Sequence, residues 1–252
     1  MERWPAGVGR EIFETLDSTN AEALRRAAAG AAGPLWLLAR RQTAARGRRG
    51  RAWSMAPGNF AATLLDRPPG PLALRSFVAA LGLYDAMVAV TGRPELFALK
   101  WPNDVLLSGR KLAGILLESG PGGTLVVGVG VNLASAPDPA TLEPTALSPV
   151  SLREATGIAI TPEDFLDLLA PAVAAWEAHL CAEGFAPLRA AWLARAKGLG
   201  EEVTARLPDR SHTGRFESVD ETGALVLATD AGRLVLPAAE VHFAGAAHAA
   251  RH

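Results

Sequence analysis

Residues 99–118 read LKWPNDVLLSGRKLAGILLE and hold two of the chain's three lysines, Lys100 and Lys111; the third is Lys197. The other 22 cationic residues counted with them are arginines. The two residue types are not interchangeable. A compact ammonium suits a place beside developing negative charge, where a planar guanidinium fork would fit differently. Lys100 closes an apolar strand, LFALKW, and Pro102 with Asn103 and Asp104 fixes a tight turn after it. If KLAGILLE is a regular strand, Lys111, Ala113, Ile115 and Leu117 point one way, and Leu112, Gly114, Leu116 and Glu118 the other. Lys111 then reaches out of an otherwise apolar surface.

A second cluster is RGRRGR, with Arg46, Arg48, Arg49 and Arg51, followed by Trp53. Glycine lets a backbone approach a ligand closely, and arginine forks match phosphate or carboxylate oxygens, so an anion-binding loop is expected. A solvated basic loop in an arginine-biased chain is the alternative. Nucleic-acid binding is a third reading, but a net charge of -1 and a pI near 6.5 argue against it. Residues 127–132, VGVGVN, hold Gly128 and Gly130 inside a strand and end at Asn132. They lack the G-x-G-x-x-G spacing and following helix of a nicotinamide site. None of the five histidines stands in a metal-ligand spacing, no G-x-S-x-G elbow occurs, and the single Cys181 excludes a disulfide framework within the chain. One cysteine fits a reducing cytosol. The N-terminus has no signal-peptide pattern, and no run of about 18 uncharged apolar residues predicts a membrane helix.

The elements that must position these residues follow from apolar period and punctuation. Ser18, Thr19 or Asn20 caps a helix over 20–29 that Gly30 ends. Strands are predicted at 35–42, 60–65, 96–101 and 124–134, and a helix at 73–92. Ser108-Gly109-Arg110 joins two strands as a hairpin. Residues 162–196 read as helical. Beyond Gly198 and Gly200, short alternating strands suggest a small barrel. The expected division is a catalytic domain at 1–197, a β module at 198–246 and a flexible tail at 247–252.

DSTN (17–20), Gln42 with TAARGRRGRAW after it, PGN (57–59), KWPND (100–104), KLAGILLE (111–118) and GVGVNL (128–133) stand in the order seen in biotin–protein ligases. On these motifs the chain resembles that family from residue 13 to about 243. The resemblance implies an α+β fold: a mixed β-sheet with helices, like a class II synthetase, plus a small SH3-like C-terminal barrel. It implies a two-step reaction with ATP and Mg²⁺. Biotin becomes biotinyl-5'-adenylate, and a lysine of a biotin carboxyl carrier domain then takes the acyl group. It implies that Ser18, Thr19 and Gln42 hold biotin's polar ring, that Asn20 braces them, and that Gly114 and Ile115 line the biotin pocket. Arg46 and Arg48 would lie nearest the phosphate, with Arg49 and Arg51 in the same loop. Trp53 would pack against the adenylate, Lys111 would contact carboxylate and phosphoryl oxygens, and Asn132 would help place the nucleotide. Lys100 and Asn103 would support the site, and Asp104 is a candidate to orient or deprotonate the carrier lysine.

Two departures stand out. Ala45 occupies a position where the family usually has glycine, and DSTN arrives too early for the DNA-binding domain of many bacterial members. An enzyme-only, cytoplasmic form is therefore expected, with no DNA or membrane partner, and with a homodimer through an exposed edge strand as an option. A lipoate–protein ligase or octanoyltransferase is the sister alternative, but its Arg-Gly-Gly loop with a nearby histidine is not found. A non-catalytic nucleic-acid-binding protein would have no need of Lys111.

Overall fold

The computed structural model describes residues 4–47, 50–51, 53–143 and 147–243. Arg48 and Arg49, and the tail predicted at 247–252, lie outside the described residues. Strands β1 (Gly9–Phe13) and β2 (Leu35–Ala39) run parallel, joined by helix α1 (Thr19–Ala28). Strands β3 (Phe60–Asp66), β4 (Phe97–Lys100), β5 (Asp104–Leu107), β6 (Arg110–Ser119) and β7 (Leu125–Val131) complete a mixed sheet in the order β1-β2-β3-β7-β6-β5-β4. Every other neighbouring pair is antiparallel. The β5–β6 turn is Ser108-Gly109, both at positive φ, which matches the twist a two-residue hairpin needs.

Helix α2 (Arg75–Thr91) packs on one face of this sheet with α4 (Pro162–Glu183) against it. Their approach is close: a Cβ on Gly82 would come within 2.9 Å of Val173 N. Arg75 and Glu177 tie the two helices through a paired contact at 2.6 and 3.1 Å. Short α3 (Leu152–Thr156) and α5 (Phe185–Leu193) complete the helices; Gly184, at φ +76°, separates α4 from α5 where one helical stretch was predicted.

Neither of the two long helices is an uncharged run of about 18 residues. Leu72–Thr91 and Pro162–Glu183 are long and apolar enough to cross a membrane by length and composition, with mean hydropathies of 1.5 and 1.3. The uncharged-run criterion misses the first because Asp85 interrupts it; that carboxylate accepts from Trp176 Nε1 at 2.7 Å. For Leu72–Thr91 the apolarity goes with burial, since 67% of the window lies inside the fold; for Pro162–Glu183 the share is 33%.

On the opposite face α1 covers β2, β3 and β7, with Ala23, Ala27, Leu37, Leu65 and Val126 between them. The C-terminal strands β8 (Glu202–Arg206), β9 (Ser211–Val219), β10 (Leu225–Thr229), β11 (Gly232–Leu236) and β12 (Glu240–Phe243) form an antiparallel sheet in the order β11-β10-β9-β8-β12. A four-strand meander whose fifth strand returns beside the first is the order of an SH3-like module. The core runs on between the sheets: Phe77 meets Trp192 edge-on at 5.3 Å, and Trp192 lies 6.5 Å from Phe216.

Candidate active site

Strand register builds the site. Lys100 stands opposite Asp104, Asp104 opposite Gly114, Gly114 opposite Gly130, and Gly130 opposite Ala61. Directly opposed residues share a face, so one row across five strands carries two charged groups and then almost no side chain. The next row adds Gly128 opposite Thr63. The glycines are required by what lies on them. A Cβ on Gly130 would stand 2.7 Å from the Trp53 ring, and one on Gly128 would stand 2.1 Å from Asn20 Oδ1. A cavity of about 620 Å³ opens over this floor.

The expected facing of Lys111 is overturned. The β5–β6 register shifts between Val105 and Leu106, leaving Leu112 as an extra residue. This bulge sends both Leu112 and Ala113 into the core and turns Lys111 onto the face of Asp104 and Gly114. Lys111 Nζ therefore lies 2.7 Å from Asp104 Oδ1 and 5.8 Å from the centre of the Trp53 ring. Lys100 Nζ lies 3.6 Å from Asp104 Oδ2. Burial pushes the Lys100 ammonium below its ordinary pKa, while Asp104 beside it opposes the shift.

The far wall is hydrogen-bonded polar chemistry. Ser18 caps α1, its Oγ accepting from Ala21 N. Gln42 Oε1 accepts from Thr19 N at 2.7 Å. The Thr63 hydroxyl lies 2.7 Å from Thr19 Oγ1 and 2.6 Å from Asn20 Oδ1. Asn20 Nδ2 donates to Glu118 Oε2 at 2.8 Å, which ties the start of α1 to β6. Asn103 donates to the Ile115 carbonyl at 2.6 Å and accepts from its N–H, fixing the strand beneath the cavity. The Ile115 side chain itself belongs to the core. Asn132 reaches the cavity wall, and its Nδ2 donates to the Val150 carbonyl at 3.2 Å.

The described residues of the basic loop, Arg46, Gly47 and Arg51, line the cavity. Gly47 N donates to Arg51 O and Trp53 N to Ala45 O, so Ala45 and Gly47 are tied by backbone bonds to Trp53 and Arg51. Arg46 pairs with Glu118 at 3.0 Å; Arg51 pairs with Glu143 at 2.9 Å and with Glu240 of β12 at 3.0 Å. Thr63, Glu118 and Glu240 were missed by sequence reasoning. A threonine within FAATLL was the one readable sign. Gly128 and Gly130, set aside as a failed dinucleotide pattern, carry a different signal: glycine at every second strand residue strips one face of side chains.

A glycine-rich floor, a polar wall and four cationic side chains, Arg46, Arg51, Lys100 and Lys111, line a cavity suited to a small polar molecule beside an anionic group. Comparison with known proteins agrees. Residues 12–132 match the biotin/lipoate A/B protein ligase family, and residues 198–243 match the biotin protein ligase C-terminal domain. The chain is 58% identical over 241 residues to the biotin–[acetyl-CoA-carboxylase] ligase of Paracoccus denitrificans, covering 93% of this chain and 100% of that one. The fold superposes on biotin protein ligase from Aquifex aeolicus in complex with biotin and ATP, with a TM-score of 0.81, 26% identity and coverage of 92% and 97%. It also superposes on the Leishmania major enzyme in complex with biotinyl-5-AMP, with a TM-score of 0.63, 25% identity and coverage of 91% and 99%. The chain belongs to the biotin protein ligase family.

Proposed function

We propose that the chain joins biotin to a lysine of a biotin carboxyl carrier domain, using ATP and passing through biotinyl-5'-adenylate. The observation that carries this reading is the row Lys100, Asp104, Gly114, Gly130 and Ala61, with Lys111 turned onto it by the bulge. The glycines leave room for Trp53 and Asn20, and the cavity of about 620 Å³ that these line is large enough for a fused bicyclic ring. The Ser18, Thr19 and Gln42 wall offers short hydroxyl and amide groups of the kind a ureido ring needs. The acid's tail then runs toward Lys111.

In the first step a biotin carboxylate oxygen attacks the α-phosphorus of ATP and pyrophosphate leaves. Lys111 and the arginines of the basic loop stabilise charge that grows on the phosphoryl oxygens. Mg²⁺, as the general partner of ATP, would neutralise charge on the nucleotide's phosphates. In the second step the carrier lysine nitrogen attacks the acyl carbon, AMP leaves, and Asp104 accepts the lysine's proton. The loop, tied at Arg46 and Arg51, covers the mixed anhydride and keeps water from it. In this reading residues 1–197 carry the chemistry and residues 198–246 form the module behind it, and the carrier is met in the cytoplasm.

Exchange of labelled pyrophosphate into ATP tests the first step. It should depend on biotin and be lost in Lys111→Ala. Exchange supported by lipoate but not by biotin would overturn the reading.

A further inference from the structure

The two steps above leave Lys100 without a task. It is 7% exposed and faces the cavity from β4, which pairs with β5 on one side and is bonded on its outer edge, where Leu99 N donates to Arg195 O and Lys197 N to Leu99 O. Cross-strand register sets it opposite Asp104, on the carboxylate oxygen that Lys111 does not hold. We propose that Lys100 is a positioning residue that keeps the Asp104 carboxylate charged and aimed at the cavity once Lys111 has turned to the acyl phosphate. The inference rests on the ligase reading and on Asp104 as the acceptor of the carrier lysine's proton.

The two lysines differ in freedom. Lys111 has a side chain 32% exposed and can swing from Asp104 to a phosphoryl oxygen. Lys100 is closed in by β4 and β5 and cannot follow. When Lys111 leaves, a phosphate has arrived beside a buried carboxylate, and both burial and the new negative charge favour the protonated acid. A protonated Asp104 has no room for the carrier lysine's proton. Lys100 is a buried counter-charge that opposes this change, and Arg51 of the basic loop is a second cation acting on Asp104. The other charged groups acting on Lys100 are Lys111, which disfavours its ammonium, and Glu240 of β12, which favours it; burial outweighs each.

The test is transfer from preformed biotinyl-5'-adenylate to a carrier domain, measured from about pH 5.5 to about pH 8.5 for wild type, Lys100→Met and Lys100→Arg. The ratio of variant to wild-type rate cancels the carrier lysine's own titration. For Lys100→Met this ratio should fall about tenfold or more toward the acid end, because the carboxylate loses a neighbouring cation. Lys100→Arg keeps the charge and should give a flatter ratio. In an Asp104→Asn background, removing Lys100 should add little further loss. If Lys100→Met does not fold, Lys100→Gln keeps the length and a polar head, and the same ratio is read with it. A pH-independent ratio on an active wild type overturns the inference alone. A wild type that makes no adenylate overturns the ligase reading and this inference with it.

Discussion

Asn20 joins both walls of the site, with Thr63 on one side of its amide and Glu118 on the other. Its position is possible only because Gly128 has no side chain. Gly128→Ala and Gly130→Ala should each raise the biotin KM more than tenfold and cost about 1–3 kcal/mol of stability, since each new Cβ forces Asn20 or Trp53 aside. Steady-state kinetics and denaturant melts check both. Asp17 gives a pH prediction. Arg25 and the Ser18 N–H hold its carboxyl well below the ordinary value of 3.8. A lowered native pKa means stability present in full above about pH 3.8 and lost as pH falls through the native value. Asp17→Asn should therefore be less stable than wild type at neutral pH, with the gap closing on acidification. At this scale the lysines of KWPND and KLAG were legible because composition made them conspicuous. Thr63 and Glu118 were not, because their partners lie 43 to 98 residues away in the chain.

The strands, the capped helix and the hairpin could be read from period and turn chemistry, since those are local. The bulge at Leu112 could not, because it exists only in the pairing of β6 with β5. A regular strand would have aimed Lys111 into the core, and one extra residue reverses it. The basic loop is held by element-to-element pairs that are partly exposed, each worth about 0–1 kcal/mol. Glu118→Gln should therefore change the melting temperature little. It should still weaken biotin binding several-fold, because Arg46 and Asn20 share that carboxylate. Calorimetric titration with biotin, beside a thermal melt, separates the two effects.

Across the whole molecule, the KWPND turn touches the C-terminal module directly: Trp101 Nε1 donates to the Gly223 carbonyl at 3.0 Å. Gly223 sits at φ +84°, and a Cβ there would meet the Phe77 ring at 2.6 Å. The small β module was legible from its alternating strands and turns. Its packing against the turn that carries Asp104 was not, because nothing local marks Gly223 as a contact point. A core continuous through Phe77, Trp192 and Phe216 should unfold in one transition. Gly223→Ala should lower that single transition by about 1–3 kcal/mol through strain and overpacking, as followed by circular dichroism. The proposed reaction is acyl transfer through an adenylate. The most direct measurement is the intact mass of a carrier domain after incubation with biotin, Mg-ATP and either the wild-type chain or Lys111→Ala. One biotinyl group on the carrier lysine with wild type, and none with Lys111→Ala over the same time, is the predicted result. An unmodified carrier with the wild-type chain, or equal labelling by both proteins, would contradict it.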